Sequence, residues 1–253
     1  ADIKAGGTVW LDKLSHAVNE KGFIGAKIYP PVGFRPYGNT KAPKGLDPHA
    51  LDAALKAFFL RCADLGIPVM AHANSTQGYD DAADDNSAPE GWRDLIKAMA
   101  ADHKVPLVNL GHFGGNGGEG PGGKSNNWPL RFAQLMGEEG GKHFYGDLAI
   151  WTGLRECLPG GDQGDCKLAR DRLQEARRAF AGLDQRLMYG SDWFMMIKER
   201  DWQRWPLDIA SALGGLPGIP ADYLHRVFHQ NAMECFGLTS TGQNYTRLHK
   251  FFG

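Results

Sequence analysis

Cysteine is scarce in this chain: four in 253 residues are too few for a disulfide scaffold. Cys157 and Cys166 flank the loop LPGGDQGD and could bridge, but two thiols in a reducing compartment is the reading that the low count favours. Long apolar runs are missing too, and none approaches the roughly 18 residues that a membrane span needs. Charge of one sign is missing as well. The 28 Lys+Arg stand against 29 Asp+Glu, a formal net charge of −1, so no field steers the chain onto nucleic acid or an anionic membrane. The first residues, ADIKAGGTVW, lack the basic end and apolar core of a signal peptide, and the expected location is cytoplasmic. They also lack Met, so the visible start is not marked as the start of translation. No solenoid repeat and no break between domains is visible, and residues 1–253 read as one domain.

What is present is an alternation of apolar runs and amphipathic stretches. Residues 8–20 carry Val9, Leu11, Leu14 and Val18 at helical spacing, with Gly22 as the stop. Residues 23–29 read as a buried strand closed by Pro30-Pro31, and a Gly/Pro-marked loop follows. Asp47-Pro48 opens a helix with stripe Leu51, Leu55, Phe58, Phe59 and Cys62, stopped by Gly66. Residues 87–90 read as a capping box before a helix that buries Trp92, Leu95, Ile96 and Met99. Further helices are expected around 130–136, over 166–182 (Leu168, Leu173, Ala176 and Phe180 inward), near 205–213 and over 222–236. Strands at 67–72, 105–111, 143–150 and 186–191 bring the strand count to five. Near-continuous apolar strands between helices imply a parallel, helix-covered sheet, hence an α/β fold.

Three of these strands stop in the same way. The run through Ala71 ends on His72, the run through Gly111 ends on His112, and RLMYGS ends on Asp192. Metal-competent or proton-transferring side chains at the C-terminal ends of several strands are the pattern of a barrel enzyme. A lone histidine on an apolar strand is more often a satisfied core residue, but the common placement of the trio reverses that preference. Imidazole and carboxylate hold zinc while leaving a position for water, whose pKa falls to about 7, and a carboxylate beside it takes the proton during attack. Lys27, Tyr29, Arg35, Asn74, Trp151 and Trp193 follow or end strands and are candidate substrate-binding residues for a small molecule. Residues 118–125, GEGPGGKS, also match the phosphate-cradling pattern, Gly118 and Ser125 at its ends. A nucleotide-binding protein, or a barrel fragment kept for binding or assembly, is therefore the alternative outside hydrolysis.

The segments GFIGAKIYPP, GIPVMAHA, VPLVNLGHFGG, RLMYGSDW and FHQNAMECFGL, in that order, resemble the amidohydrolase superfamily, in the amidohydrolase-related branch that includes carboxymuconate-semialdehyde decarboxylases. The resemblance runs from about residue 23 to 238 and matches the family's fourth, fifth, sixth and eighth barrel strands and final helix. It implies a (β/α)8 TIM-barrel-like fold and a divalent metal, zinc in first place. His72 and Asp192 would be ligands, His112 a ligand or proton-transferring residue, and Asp192 and His112 the catalytic pair. Lys27 is either a charge attracting an anionic substrate or, by resemblance to members with two metals, a carboxylated bridging lysine. The implied activity is metal-dependent hydrolysis of an amide, ester or lactone-like carbon, with non-oxidative decarboxylation as the alternative. The family's first strand carries a His-x-His pair that occurs nowhere here. The expectation is that the first three strand–helix units are absent from this chain, making it a partial barrel domain with exposed edge amides and a broad apolar face. An upstream segment or a second chain would then complete it, and a homo-oligomer is a separate expectation.

Overall fold

The computed structural model describes residues 7–42, 45–75, 85–115, 119–120, 124–125 and 127–252. Five parallel strands form its sheet: β1 (Ala26–Ile28), β2 (Val69–His72), β3 (Val108–Gly111), β4 (Phe144–Asp147) and β5 (Leu187–Met188). Their spatial order is their sequence order. A doubly wound sheet reverses direction at a switch point. Here each strand adds on the same side of the last, and right-handed crossovers then carry the helices that connect the strands to one face. That is the winding of consecutive units of a barrel.

The helices form where local chemistry dictates. In α2 (Pro48–Leu65) the Asp47 carboxylate accepts from the Ala50 N–H at 2.8 Å, and Gly66, at φ 61°, ends the helix. α1 (Val9–Lys21) ends on Gly22 at φ 73°, where the left-handed conformation costs glycine nothing. α3 (Pro89–Met99) starts without the expected capping box: Ala88 is the N-cap, and the buried Ser87 hydroxyl has no partner. Proline in the first turn, with no N–H to satisfy, supplies the start instead. α4 (Trp128–Gly137), α5 (Gln163–Ala179), α6 (Trp205–Gly214) and α7 (Gln243–Phe252) follow.

Strand alternation splits the sheet into two faces. Val69, Ala71, Val108, Leu110 and Phe144 face the helices and pack with Phe59, Trp92, Leu95 and Phe132. Trp92 bridges the layers edge-on, 6.1 Å from Phe59 and 5.8 Å from Phe144 between ring centroids. On the other face Tyr145 and Met188 form a separate cluster with Cys235, Ala232 and Phe236 of the C-terminal segment.

That segment also covers the open side of the last strand. The Tyr189 N–H donates to the Val227 carbonyl at 2.7 Å, and Asn231 Nδ2 donates to the Leu187 carbonyl at 2.7 Å. The polar groups at the open side of β5 are thus met by a helix that passes through a π turn at Arg226–Gln230. Farther on, Asn244 Nδ2 donates to the Ile24 carbonyl at 2.9 Å, just before β1. The chain end therefore ties the last strand's neighbourhood to the first.

Other expectations need correction. Cys157 and Cys166 are bonded, with Cα atoms 4.7 Å apart, because the turn after Thr152–Arg155 folds back onto the start of α5. Val9 and Leu168 are exposed rather than buried, since α1 and α5 present narrower faces than the spacing suggested. Every strand is shorter than its apolar run, because flanking residues turn out of the ladder. Lys124 and Ser125 pair antiparallel with Gly120 and Glu119. A phosphate loop needs that lysine at the start of a helix; here α4 begins only at Trp128, capped by Asn127. Gly118 and residues 121–123 lie outside the described residues.

Candidate active site

At the C-terminal ends of the strands lies a cavity of about 620 Å³. His72, His112 and Asp192 all line it, together with Lys27, Tyr29, Asn74 and Trp193. β2 delivers His72 as its last residue, and the His112 and Asp192 backbones turn sharply just past β3 and β5. His112 (φ 67°), Ile150 (φ 54°) and Asp192 (φ 42°) all line the cavity in left-handed conformations. Such conformations in non-glycine residues cost about 1–3 kcal/mol each and gather where surrounding structure holds a functional geometry.

The two imidazoles meet edge to face, ring centroids 4.7 Å apart, and the Tyr29 ring centroid lies 4.5 Å from that of His72. Burial, then the neighbouring His112, pushes the His72 pKa down to about 4, so the ring is neutral at neutral pH. His112 Nδ1 lies 3.1 Å from the Ala149 carbonyl. A carbonyl can only accept, so Nδ1 carries the proton and Nε2 keeps its lone pair. Burial lowers the pKa of Lys27, and the Asp147 and Asp192 carboxylates oppose that shift.

Two expected residues do not reach the cavity. Arg35 pairs with Asp94 at 3.6 Å, and its backbone N–H is held by Asn39 Oδ1 at 2.7 Å, which keeps it on the loop after β1. Trp151 is fully buried, and its indole N–H donates to the His112 carbonyl at 2.7 Å, so it supports the site from beneath.

Sequence reading missed Asp147, which lines the cavity and is only 2% exposed. Its Oδ1 accepts from the backbone N–H groups of His112 and Ala149, both at 3.0 Å, and its Oδ2 from Asn109 Nδ2 at 2.8 Å. Glycines make the room. A Cβ on Gly190 would lie 2.7 Å from Asp147 Oδ1, and one on Gly111 would lie 3.0 Å from the Ala71 carbonyl. The available signal was a carboxylate on the strand FYGD, whose four residues are otherwise apolar or small and all buried.

Among solved structures, the chain is similar to a protein from Pseudomonas putida described as a 2-pyrone-4,6-dicarboxylic acid hydrolase, with a TM-score of 0.52, 17% identity, and coverage of 90% of this chain and 68% of that one. It is also similar to a 2,6-dihydroxybenzoate decarboxylase complexed with 2,6-dihydroxybenzoate, with a TM-score of 0.51, 16% identity, and coverage of 90% and 66%. A third is an amidohydrolase from Burkholderia multivorans with bound HEPES, with a TM-score of 0.56, 16% identity, and coverage of 93% and 71%. The chain thus spans about two thirds of the length of these structures, and the likeness establishes a shared fold. No curated protein matches the sequence. The amidohydrolase family model matches residues 10–238, nearly the whole described chain, and the protein belongs to that enzyme family.

Proposed function

We propose that this enzyme hydrolyses an amide, ester or lactone-like bond in a small anionic molecule, with His112 as the general base. The observation that carries this is the His112–Ala149 hydrogen bond, which leaves Nε2 as the free nitrogen of a cavity-lining imidazole. Lys27 is the one lysine or arginine among the described lining residues, and it offers a partly desolvated cation to a substrate carboxylate. Water positioned between Nε2 and the substrate carbon loses its proton to His112 as it attacks. Asp192, which lines the same cavity, takes that proton on from the His112 imidazolium and returns it to the leaving group.

Members of the amidohydrolase superfamily are generally metal-dependent. The donor types suit zinc, but among the described residues no three His, Cys, Asp or Glu side chains are placed to hold one ion. A catalytic zinc takes three protein ligands, so these donors do not make that centre by themselves, and the steps above use none. Non-oxidative decarboxylation is a second reading. Met70, Trp193 and Met195 line the same cavity as Lys27, and apolar groups beside a cation that holds a carboxylate favour its loss as carbon dioxide.

The test is a panel of carboxylate-bearing esters, lactones and amides, followed by chromatographic detection of the hydrolysis products in parallel with carbon dioxide release, with and without added zinc. His112→Gln and Asp192→Asn should each cost about 10²–10⁴-fold in kcat, the usual contribution of a proton-transfer group. Full activity in both variants overturns the proposal, and carbon dioxide as the sole product moves it to the second reading.

A further inference from the structure

We propose that Asp147 is a positioning residue that sets the tautomer and aim of His112. The proposal deepens the reading of His112 as the proton-transferring group, and rests on it only for the catalytic consequence. Asp147 Oδ1 holds the His112 N–H and the Ala149 N–H at the same distance, 3.0 Å. Ala149 in turn offers its carbonyl to His112 Nδ1 at 3.1 Å. One oxygen therefore anchors both the backbone that carries the imidazole and the residue that accepts its proton. The three contacts close a ring: carboxylate to His112 backbone, His112 side chain to Ala149, Ala149 backbone to carboxylate.

The strand ends explain why an anchor is needed. His112 leaves β3 with φ 67° and Ile150 follows Ala149 with φ 54°, so neither N–H in the ring continues a strand ladder. Without an acceptor each would be an unpaired buried donor, at a cost of about 1–3 kcal/mol. Asn109 Nδ2, at 2.8 Å from Oδ2, fixes the carboxylate's rotation so that Oδ1 faces both amides. A role in closing strand ends alone would be met by any acceptor, whereas here the acceptor also governs the residue on His112 Nδ1.

The experiment reads the imidazole directly. Long-range ¹H–¹⁵N correlation spectra of the histidine side chains are recorded above pH 7, with His112→Gln assigning the signals. Wild-type protein should show His112 as a single Nδ1–H tautomer. In Asp147→Ala the His112 and Ala149 N–H groups lose their acceptor, and the single-tautomer pattern should be lost. Asp147→Asn keeps an oxygen for both amides, and Asn109, whose Oδ1 has no other partner, turns over to accept from the new NH2, so this variant should retain the pattern. An Nε2–H tautomer in the wild type overturns the proposal whatever the variants do. An unchanged pattern in folded Asp147→Ala overturns it too, as does loss of the pattern in folded Asp147→Asn. The catalytic reading fails separately, through full activity of His112→Gln in the hydrolysis assay.

Discussion

Asn231→Ala should unfasten the C-terminal helix from the last strand, and the size of the effect follows from its contacts. Asn231 is completely buried, and its Nδ2 donates to the Leu187 carbonyl at 2.7 Å and the Asp184 carbonyl at 3.0 Å. Each neutral hydrogen bond contributes about 0.5–1.5 kcal/mol net, and a carbonyl left buried without a donor costs about 1–3 kcal/mol. Leu187 is itself fully buried, so water does not replace the lost donor there. One effect runs the other way: Asn231 Oδ1 has no partner, and its removal recovers part of the loss. The balance is a destabilisation of about 2–3 kcal/mol, which in a chain of this size lowers Tm by about 4–12 °C. Urea unfolding followed by tryptophan fluorescence reads it as a lower midpoint at unchanged slope. Asn231→Asp keeps the shape but turns a charge toward two carbonyls, and should lose more. A change within about 0.5 kcal/mol in Asn231→Ala would refute the reasoning, because neighbouring groups would then be satisfying the strand edge without it.

Two further predictions concern the cavity. Gly190→Ala places a methyl 2.7 Å from Asp147 Oδ1, which two backbone donors hold in place, so it should cost about 1–3 kcal/mol and disturb the His112 tautomer. In an Asp147→Ala background the same substitution should cost under about 0.5 kcal/mol, and a denaturant double-mutant cycle measures the difference. The acid limb follows from His72. Its pKa is about 4 in the folded chain against 6.5 unfolded, so below pH 6.5 the unfolded chain takes up a proton that the folded chain refuses. Stability should fall as pH drops through that window by up to about 3 kcal/mol, with little effect above pH 7. His72→Gln, compared with wild type by urea unfolding at each pH in the presence of chelator, should remove that part of the slope.

Much of this molecule can be read from local sequence. Asp47-Pro48 with Gly66, and Gly22 after its apolar stripe, mark helix ends because capping depends on residues three or four positions apart. The apolar runs ending on His72, His112 and Asp192 could be read the same way, and the winding brings those three ends to one cavity. Lys27, Tyr29, Asn74 and Trp193 line that cavity because they lie within a few residues of those ends.

The rest was decided by distances between strands, which no short window contains. Asp147 stands out only when β3 and β5 lie beside it: Asn109 and His112 donate from one neighbour, and Gly190 yields space on the other. Arg35 and Trp151 looked like their neighbours in sequence but found partners that turn them from the cavity, Asp94 for one and the His112 carbonyl for the other. The Cys157–Cys166 bond required a turn to fold back, and residue spacing alone does not say whether it will. The cover over β5 and the tie to β1 came from contacts such as Asn244 to Ile24, 220 residues apart in the chain. Capping and periodicity act over a turn of helix or a pair of strand residues, so sequence shows them; which buried donor meets which acceptor depends on how whole strands and helices stack, and the folded chain alone decides that.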